Sequence, residues 1–538
     1  MDAVAQRELE RKYDLPDGAK HRVDWGVLEG YTVTDTAVEH RMQAVYYDTA
    51  DQTLARHQVA LRRWADGADD GWHVRLYEPG GRYEAQVPLL ATAPTRMPAA
   101  VRHLLEGLTG GQELHPLATL ATVRQVLTIA AVSGASVAEV AIDEVEAVDH
   151  HNGTARSWSE WEVELTEATV APEQQEQIFT AIEHALFAAG GRPSASTAKI
   201  ARALGADDVA QDGDGSVPAG QETGTTSGKE DEKAGKNVTG AVLLGTVLGQ
   251  LAGQLVLWDL KVRLDVPDAV HQMRVTSRSL RSLLKAAAPF FDGDTAAELD
   301  VRLRELARAL SGARDAEVTA ELLPARVAAL DGRVDPAAAQ VLQRTAEQQA
   351  KAAAATVRGH LGKQEHLLLL ADVQTFAAHP PLTQEAEQLT ARKVANKLVR
   401  RALRKVQRLG DHGLAAEDSG AEADLVHRLE HLHEVRKDVK RVRYVTAVLK
   451  RSGFTPGKTV RHAAADAKAH QEALGEVMDA GVVEDWLART ADAYRGTGED
   501  RYAVGVLHGA ELAAVRTGVT TGHEVVAELM AQLRQGLT

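Results

Sequence analysis

The feature that most constrains this chain is a row of cations that occurs twice. His271, Arg274, Arg278 and Arg281 stand at i, i+3, i+7 and i+10, and His433, Arg436, Lys440 and Arg443 repeat the spacing 162 residues later. At about 100° per residue these offsets fall within an arc of roughly 80°, so on a helix each set is one stripe about 15 Å long. Leu310, Asp315 and Val318 likewise match Leu474, Asp479 and Val482 at an offset of 164. Two segments in nearly one register predict a duplicated helical unit. Like charges stacked on a helix repel, so each stripe destabilises its own helix unless an anion lies along it. A long polyanion meets that need.

Charge is unevenly distributed. Residues 1–205 carry 18 Lys and Arg against 30 Asp and Glu, residues 206–237 carry 3 against 8, and residues 238–538 carry 40 against 38. A general nucleic-acid binder is usually basic overall, and this chain is not. With no cysteine, disulfides and thiolate metal sites are excluded, and a cytoplasmic protein is expected. The N-terminus lacks a basic-then-apolar signal pattern. Residues 238–257 carry no charge, and Gly245, Gly249 and Gly253 have the spacing of a membrane helix seam. The favoured reading is a bundle helix with Leu244, Leu248, Leu251 and Leu255 facing a core.

Two acidic rows mark the first part. In Glu8-Leu-Glu10-Arg-Lys12, strand alternation puts Glu8, Glu10 and Lys12 on one face. In Glu160-Trp-Glu162-Val-Glu164-Leu165, three carboxylates share a face opposite Trp161, Val163 and Leu165. Taken singly, either row also fits the solvated face of an ordinary sheet. Together they converge only in a sheet closed on itself, where massed carboxylates call for a hard divalent cation. Between the rows, Arg62, His73 with Arg75, Arg82 with Glu84, and Arg124 alternate onto strand faces, and guanidinium groups suit phosphate oxygens. An amphipathic helix is expected from about Pro172 to Gly190, with Ile178, Ile182 and Leu186 buried, before Ser196-Thr-Ala-Lys199.

On these motifs, with Tyr46-Tyr-Asp-Thr49, Leu61-Arg62 and Thr122-Val-Arg124, residues 1–205 resemble a CYTH domain, the fold of the triphosphate tunnel metalloenzymes. The resemblance implies an eight-stranded antiparallel barrel around a triphosphate tunnel. It implies Glu8, Glu10, Glu162 and Glu164 as ligands for Mg2+ or Mn2+, or as carboxylates that orient water. Lys12 is implied with them in catalysis, and Lys12, Arg62, Arg75, Arg124 and Lys199 as phosphate-binding groups. Trp64 departs from the pattern where a second basic residue is usual, and Arg75 stands where Lys is common.

Residues 206–237 are rich in Gly, Asp, Glu, Ser and Thr and read as a flexible acidic linker. From 238 to 538 the pattern is helical throughout. A helix starts near Asp268, and a third cationic stripe, Lys393, Lys397, Arg400, Arg404 and Arg408, opposes Val394, Leu398, Val406 and Leu409; it reads either as a solvated face or, through Lys393, Lys397, Arg400 and Arg404, as a further anion-binding one. The segments around His271 and His433, including Lys437, resemble a CHAD domain. That implies two pseudo-symmetric four-helix bundles, about 240–385 and 386–538, with a basic groove for inorganic polyphosphate. Ser279 departs from that pattern where an Arg is usual.

The combined expectation is a multidomain α+β protein that binds polyphosphate or tripolyphosphate and hydrolyses triphosphate or short chains with Mg2+ or Mn2+. Association with polyphosphate granules is a further option. The alternatives are a non-catalytic scaffold, a thiamine or nucleoside triphosphatase, or a nucleic-acid binder. The last is disfavoured because no aromatic residues interleave the cationic stripes.

Overall fold

A computed structural model describes residues 6–15, 23–34, 38–65, 70–78, 81–166, 172–196, 198–205, 238–418, 425–495 and 500–537. The segment read as a linker, 206–237, lies outside them. The chain divides into two compact units, the first carrying a sheet and the second built of helices.

The first unit contains strands β1 (Gln6–Glu8), β2 (Glu10–Asp14), β3 (Tyr31–Val33) and β4 (Val38–Asp48). The short helix α1 (Thr53–Arg56) leads to β5 (Val59–Ala65), β6 (Gly71–Glu78) and β7 (Gly81–Val87), and α2 (Ala99–Thr109) leads to β8 (His115–Ala131), β9 (Ser136–Asp149) and β10 (Ala155–Leu165). The unit ends with α3 (Pro172–Ala188), β11 (Arg192–Pro193) and α4 (Lys199–Ala203). All strand pairs are antiparallel, in the order β1-β7-β6-β5-β4-β8-β9-β10-β2-β11, with β3 on β8. Only Leu9 separates β1 from β2. One half of that run pairs with β7 and the other with β10, so the two ends of the sheet are the same segment and the sheet closes.

Eight strands were expected, and eleven stand among the described residues. The first strand is split at Leu9, and β3 and β11 are short additions outside the main circuit.

Alternation gives the wall two faces. Outward, Trp161, Val163 and Leu165 of β10 join Tyr13, Val140 and Ile142 against α3, which buries Ile178, Phe179, Ile182 and Leu186. The α3 stripe expected from the sequence is therefore the one that packs. Gly191 just beyond α3 is required by close approach, because a Cβ there would lie 2.4 Å from the Trp161 ring. Inward, Ala44, Tyr46, Ala60, Ala118, Leu120, Val145 and Ala147 fill one level of the interior against Ala203 and Ile200 of α4.

The second unit runs α5 (Gly240–Arg263), α6 (Ala269–Ala287), α7 (Thr295–Ala328), α8 (Pro336–Leu361), α9 (Gln364–Ala378), α10 (Gln384–Gln388), α11 (Ala391–Asp418), α12 (Leu425–Arg451), α13 (Lys458–Ala493) and α14 (Arg501–Leu537). The duplication is visible in these bounds: α7 and α13 begin 163 residues apart, and α8 and α14 begin 165 apart. Helix α5 is long and apolar enough to cross a membrane, yet Leu244, Leu248, Leu251 and Leu255 are all at most 2% exposed and face the helical core. Asp268 does precede a helix, but its backbone is left-handed and its carboxylate accepts from the Gln272 side chain at 2.7 Å instead of capping. On α11, Val394, Leu398 and Val406 are fully buried opposite the third cationic stripe.

Candidate functional site

Cross-strand register assembles the barrel interior. Opposite charges are direct neighbours: Glu8 faces Arg82, Glu84 faces Arg75, Arg124 faces Asp143, and Glu162 faces Lys12. Such pairs are the sheet's own unit of stabilisation.

Two hubs result. At the first, Glu162 (β10) accepts from Lys12 Nζ and Lys199 Nζ, each at 2.6 Å, and from Arg124. Arg124 also forks onto Asp143, with Nε and Nη2 at 2.8 and 2.7 Å. Lys199, at the start of α4, reaches Asp143 and Glu160, each at 2.8 Å. At the second hub, Glu84 (β7) meets Arg75 Nε and His73 Nδ1, each at 2.5 Å, and Arg62 Nη2 at 3.2 Å. Arg82 contacts Glu8 at 2.5 Å and also pairs with Glu10.

Burial alone would push these carboxyls up. At Glu162 the charges of Lys12, Lys199 and Arg124 outweigh it and hold the group well below the usual range, and Arg75 and Arg62 do the same at Glu84. Glu164 differs: burial and the Glu8 charge raise it, and its side chain is 41% exposed with its nearest cation, Arg82, at 3.9 Å. Lys12 and Lys199 lose charge stability by burial but gain more from the carboxylates, so both are raised.

Of the four carboxylates expected to hold metal, only Glu162 belongs to the tightest oxygen cluster among the described residues. That cluster is Asp143, Glu160 and Glu162, with ligand atoms mutually within 4.8 Å and all three side chains buried. Glu8 and Glu10 lie with Arg82, and Glu164, directly across the ladder from Glu10, lies 3.9 Å from the same arginine. A buried all-carboxylate set is what a hard divalent cation takes, so the residues fit a divalent metal ion. The expected phosphate ligands Arg62, Arg75, Arg124 and Lys199 line one small cavity of about 20 Å3 with Tyr46 and Trp64. Trp64 lies 3.9 Å under the Arg62 guanidinium, holding it by cation–π contact where a second base was expected.

Sequence reasoning passed over Asp143, Glu84 and Arg82 as site residues and left Glu160 without a role. Alternation marked Arg82 and Glu84 as sharing a face, but only register names the residue across the ladder. Asp48 and Thr49 of the Tyr-Tyr-Asp-Thr motif serve structure instead: Asp48 accepts the backbone N–H groups of Thr49, Leu54 and Ala55 at 2.7–3.0 Å.

In the second unit α6 packs on α12, and the two repeated stripes come into one electrostatic neighbourhood. Lys440 feels Arg436, Arg278, Arg274 and Arg443, and His433 feels Lys437, Arg436 and Arg278. Burial, followed by these cations, presses Lys440 down to about 7 and His433 down to about 4, and His271 is lowered by burial and Arg314. Among the described residues, Arg278, Arg436, Lys440 and Arg443 have no carboxylate at ion-pair distance. The duplicated aspartates sit equivalently: Asp315 is 3.8 Å from Arg274, and Asp479 is the strongest anion acting on Arg436. Other candidates are compensated, Arg281 by Asp300 at 3.0 Å, Lys437 by Glu434 at 2.7 Å and Lys397 by Glu385. Ser279 is buried and donates to Val275 O at 2.8 Å. Of the third stripe, Lys397, Arg400 and Arg404 line a separate groove that Lys393 does not join.

A closed antiparallel barrel with paired rings of carboxylates and cations inside defines a triphosphate tunnel fold, here in one chain with a duplicated helical unit. Residues 6–201 match the CYTH domain and residues 246–488 the CHAD domain. An uncharacterized protein of Mycobacterium tuberculosis, in strains CDC 1551 and H37Rv, is 30% identical over 516 residues, covering 93% of this chain and 92% of that one. The chain belongs to the family of proteins that fuse a CYTH domain to a CHAD domain. It is similar to PptA from Streptomyces chartreusis (19% identity, 54% of this chain and 99% of that one, TM-score 0.41) and to the CHAD domain of the plant Ricinus communis (21%, 53% and 92%, 0.40). It is also similar to an adenylyl cyclase-type protein from Hippeastrum described as having a dominant triphosphatase activity (19%, 37% and 96%, 0.26).

Proposed function

We propose that the helical unit binds inorganic polyphosphate and that the barrel hydrolyses triphosphate or short phosphate chains with Mg2+ or Mn2+. The observation that carries this reading is the barrel's charge balance. Seven acids (Glu8, Glu10, Glu84, Asp143, Glu160, Glu162 and Glu164) already face six permanent cations (Lys12, Arg62, Arg75, Arg82, Arg124 and Lys199). A phosphate chain entering so nearly neutral an interior leaves excess negative charge unless divalent cations enter with it.

In this reading Asp143, Glu160 and Glu162 hold the ion, with Glu8 and Glu10 available nearby once Arg82 turns to substrate. The ion supplies charge neutralisation and polarisation of the phosphoryl oxygens. Arg62, Arg75 and Arg124 grip non-bridging oxygens, and Lys12 and Lys199 release their carboxylates to stabilise charge on the departing phosphate. A carboxylate of the inner row, best Glu164 with its raised proton affinity and exposed position, orients and deprotonates water. The alternative is a barrel that grips phosphate chains without cleaving them, supported by the two lysines that already neutralise the carboxylate cluster. Incubation with tripolyphosphate and Mg2+ or Mn2+ decides: metal-dependent phosphate release supports hydrolysis, and none with polyphosphate binding retained supports the scaffold.

A further inference from the structure

Outside the paired His stripes, the helical unit carries a second cationic depression. It encloses about 1090 Å3 between α6, α11 and α12. The third stripe from the sequence accounts for part of its wall, but the remainder comes from residues no periodicity singled out: Arg401, Lys405, Lys285 and Arg441. Its only lining carboxylates are Glu385 and Asp438. Eight cations line it; Glu385 pairs with Lys397, and Asp438 with Lys405 and Arg441, so cations still outnumber the carboxylates that meet them.

The groove abuts the paired His stripes at Asp300. Asp300 on α7 receives Arg281, the last member of the first His stripe, at 3.0 Å, and Lys285, in the groove wall, at 3.2 Å. Arg441 completes the junction, since Arg281 and Arg278 both press on it. From His271 to Lys285 the cations follow one helix for about 21 Å, and from Lys397 to Arg408 they follow another for roughly 16 Å.

We propose that the α11 groove is a second station for the same polyphosphate chain, joined to the paired His stripes at Asp300. Long chains then occupy both stations of the helical unit while short chains there occupy the His stripes alone. The proposal rests on polyphosphate being the ligand of the helical unit. Chain-length selectivity arises because linking two sites through one ligand makes the second contact intramolecular.

The test uses the full-length protein with Arg401→Ala and Lys405→Ala combined; both residues are exposed, so a fold change is checked by thermal melting. Binding of tripolyphosphate and of long-chain polyphosphate is measured by calorimetry at several salt concentrations. Long-chain affinity is expected to fall about ten-fold or more, with a shallower salt dependence because fewer counterions are released. Tripolyphosphate affinity is expected to change less than about two-fold, since the groove adds nothing to a ligand too short to reach it from the His stripes or the barrel. Unchanged long-chain affinity, or equal losses for both ligands, overturns the proposal while leaving polyphosphate binding intact. If the wild-type protein binds neither ligand, the functional reading itself falls, and this proposal with it.

Discussion

Lys12 on β2 lies directly across the ladder from Glu162 on β10 and donates to it at 2.6 Å. This pair closes the sheet at the point where the first acidic motif meets the second. A buried pair of this kind contributes little over an apolar pair, but breaking it strands a charge.

Glu162→Gln therefore leaves Lys12, Lys199 and Arg124 short of one carboxylate. The expected result is a destabilisation of about 3 kcal/mol in urea unfolding, together with loss of metal-dependent phosphate release.

Metal binding is expected to be visible without turnover. If Asp143, Glu160 and Glu162 hold the ion, saturating Mn2+ raises the melting temperature of the wild type by mass action and leaves Glu160→Gln nearly unmoved. An equal rise in both proteins removes this cluster as the ligand set.

The two units are expected to separate by mutation. Glu10→Gln should abolish phosphate release and leave polyphosphate retention unchanged. Arg274→Ala with Arg436→Ala should weaken retention on the order of a hundred-fold and spare tripolyphosphate hydrolysis. Pull-down on immobilised polyphosphate and phosphate release read the two outcomes independently.

Polyphosphate binding is expected to take up protons. Lys440 is held down to about 7 by burial and by Arg436, Arg278, Arg274 and Arg443. A bound polyanion favours its charged form, so affinity falls as pH rises above about 7 toward the ordinary lysine range. His433, held down to about 4, adds affinity as pH falls below the ordinary histidine value. Calorimetry in buffers of different ionisation enthalpy measures the uptake, and Lys440→Met should remove the component above pH 7. In the free protein the same shift works the other way: the unfolded chain binds the Lys440 proton more tightly, so this group's contribution to stability grows as pH rises from about 7.

Replacing Gly191 by Ala probes the barrel wall. Its Cβ would meet the Trp161 ring at 2.4 Å, and Trp161 lies between Glu160 and Glu162 on β10. The expected cost is about 1–3 kcal/mol by thermal or urea unfolding.

Periodicity made much of this legible. A spacing of i, i+3, i+7 and i+10 needs no partner to define a helix face, and alternation in Glu160-Trp-Glu162-Val-Glu164 needs none to separate a polar face from an apolar one. The helix holding Ile178, Ile182 and Leu186 was legible for the same reason. What alternation omits is register, which is why Asp143, one of five acids on β9, passed unremarked and Glu84 was matched only with Arg82 on its own strand, although each anchors several cations.

The duplicated helical unit and the shared faces of the acidic strands were readable from the chain alone, because each follows from the repeat length of a helix or a strand. Strand pairing and helix packing decided that the sheet closes, that Glu162 takes three cations while Glu164 has only Arg82 near it, and that Arg401 and Lys405 join a groove with Lys285. Those outcomes depend on which residue a neighbouring strand or helix places opposite, and local periodicity carries no information about the neighbour.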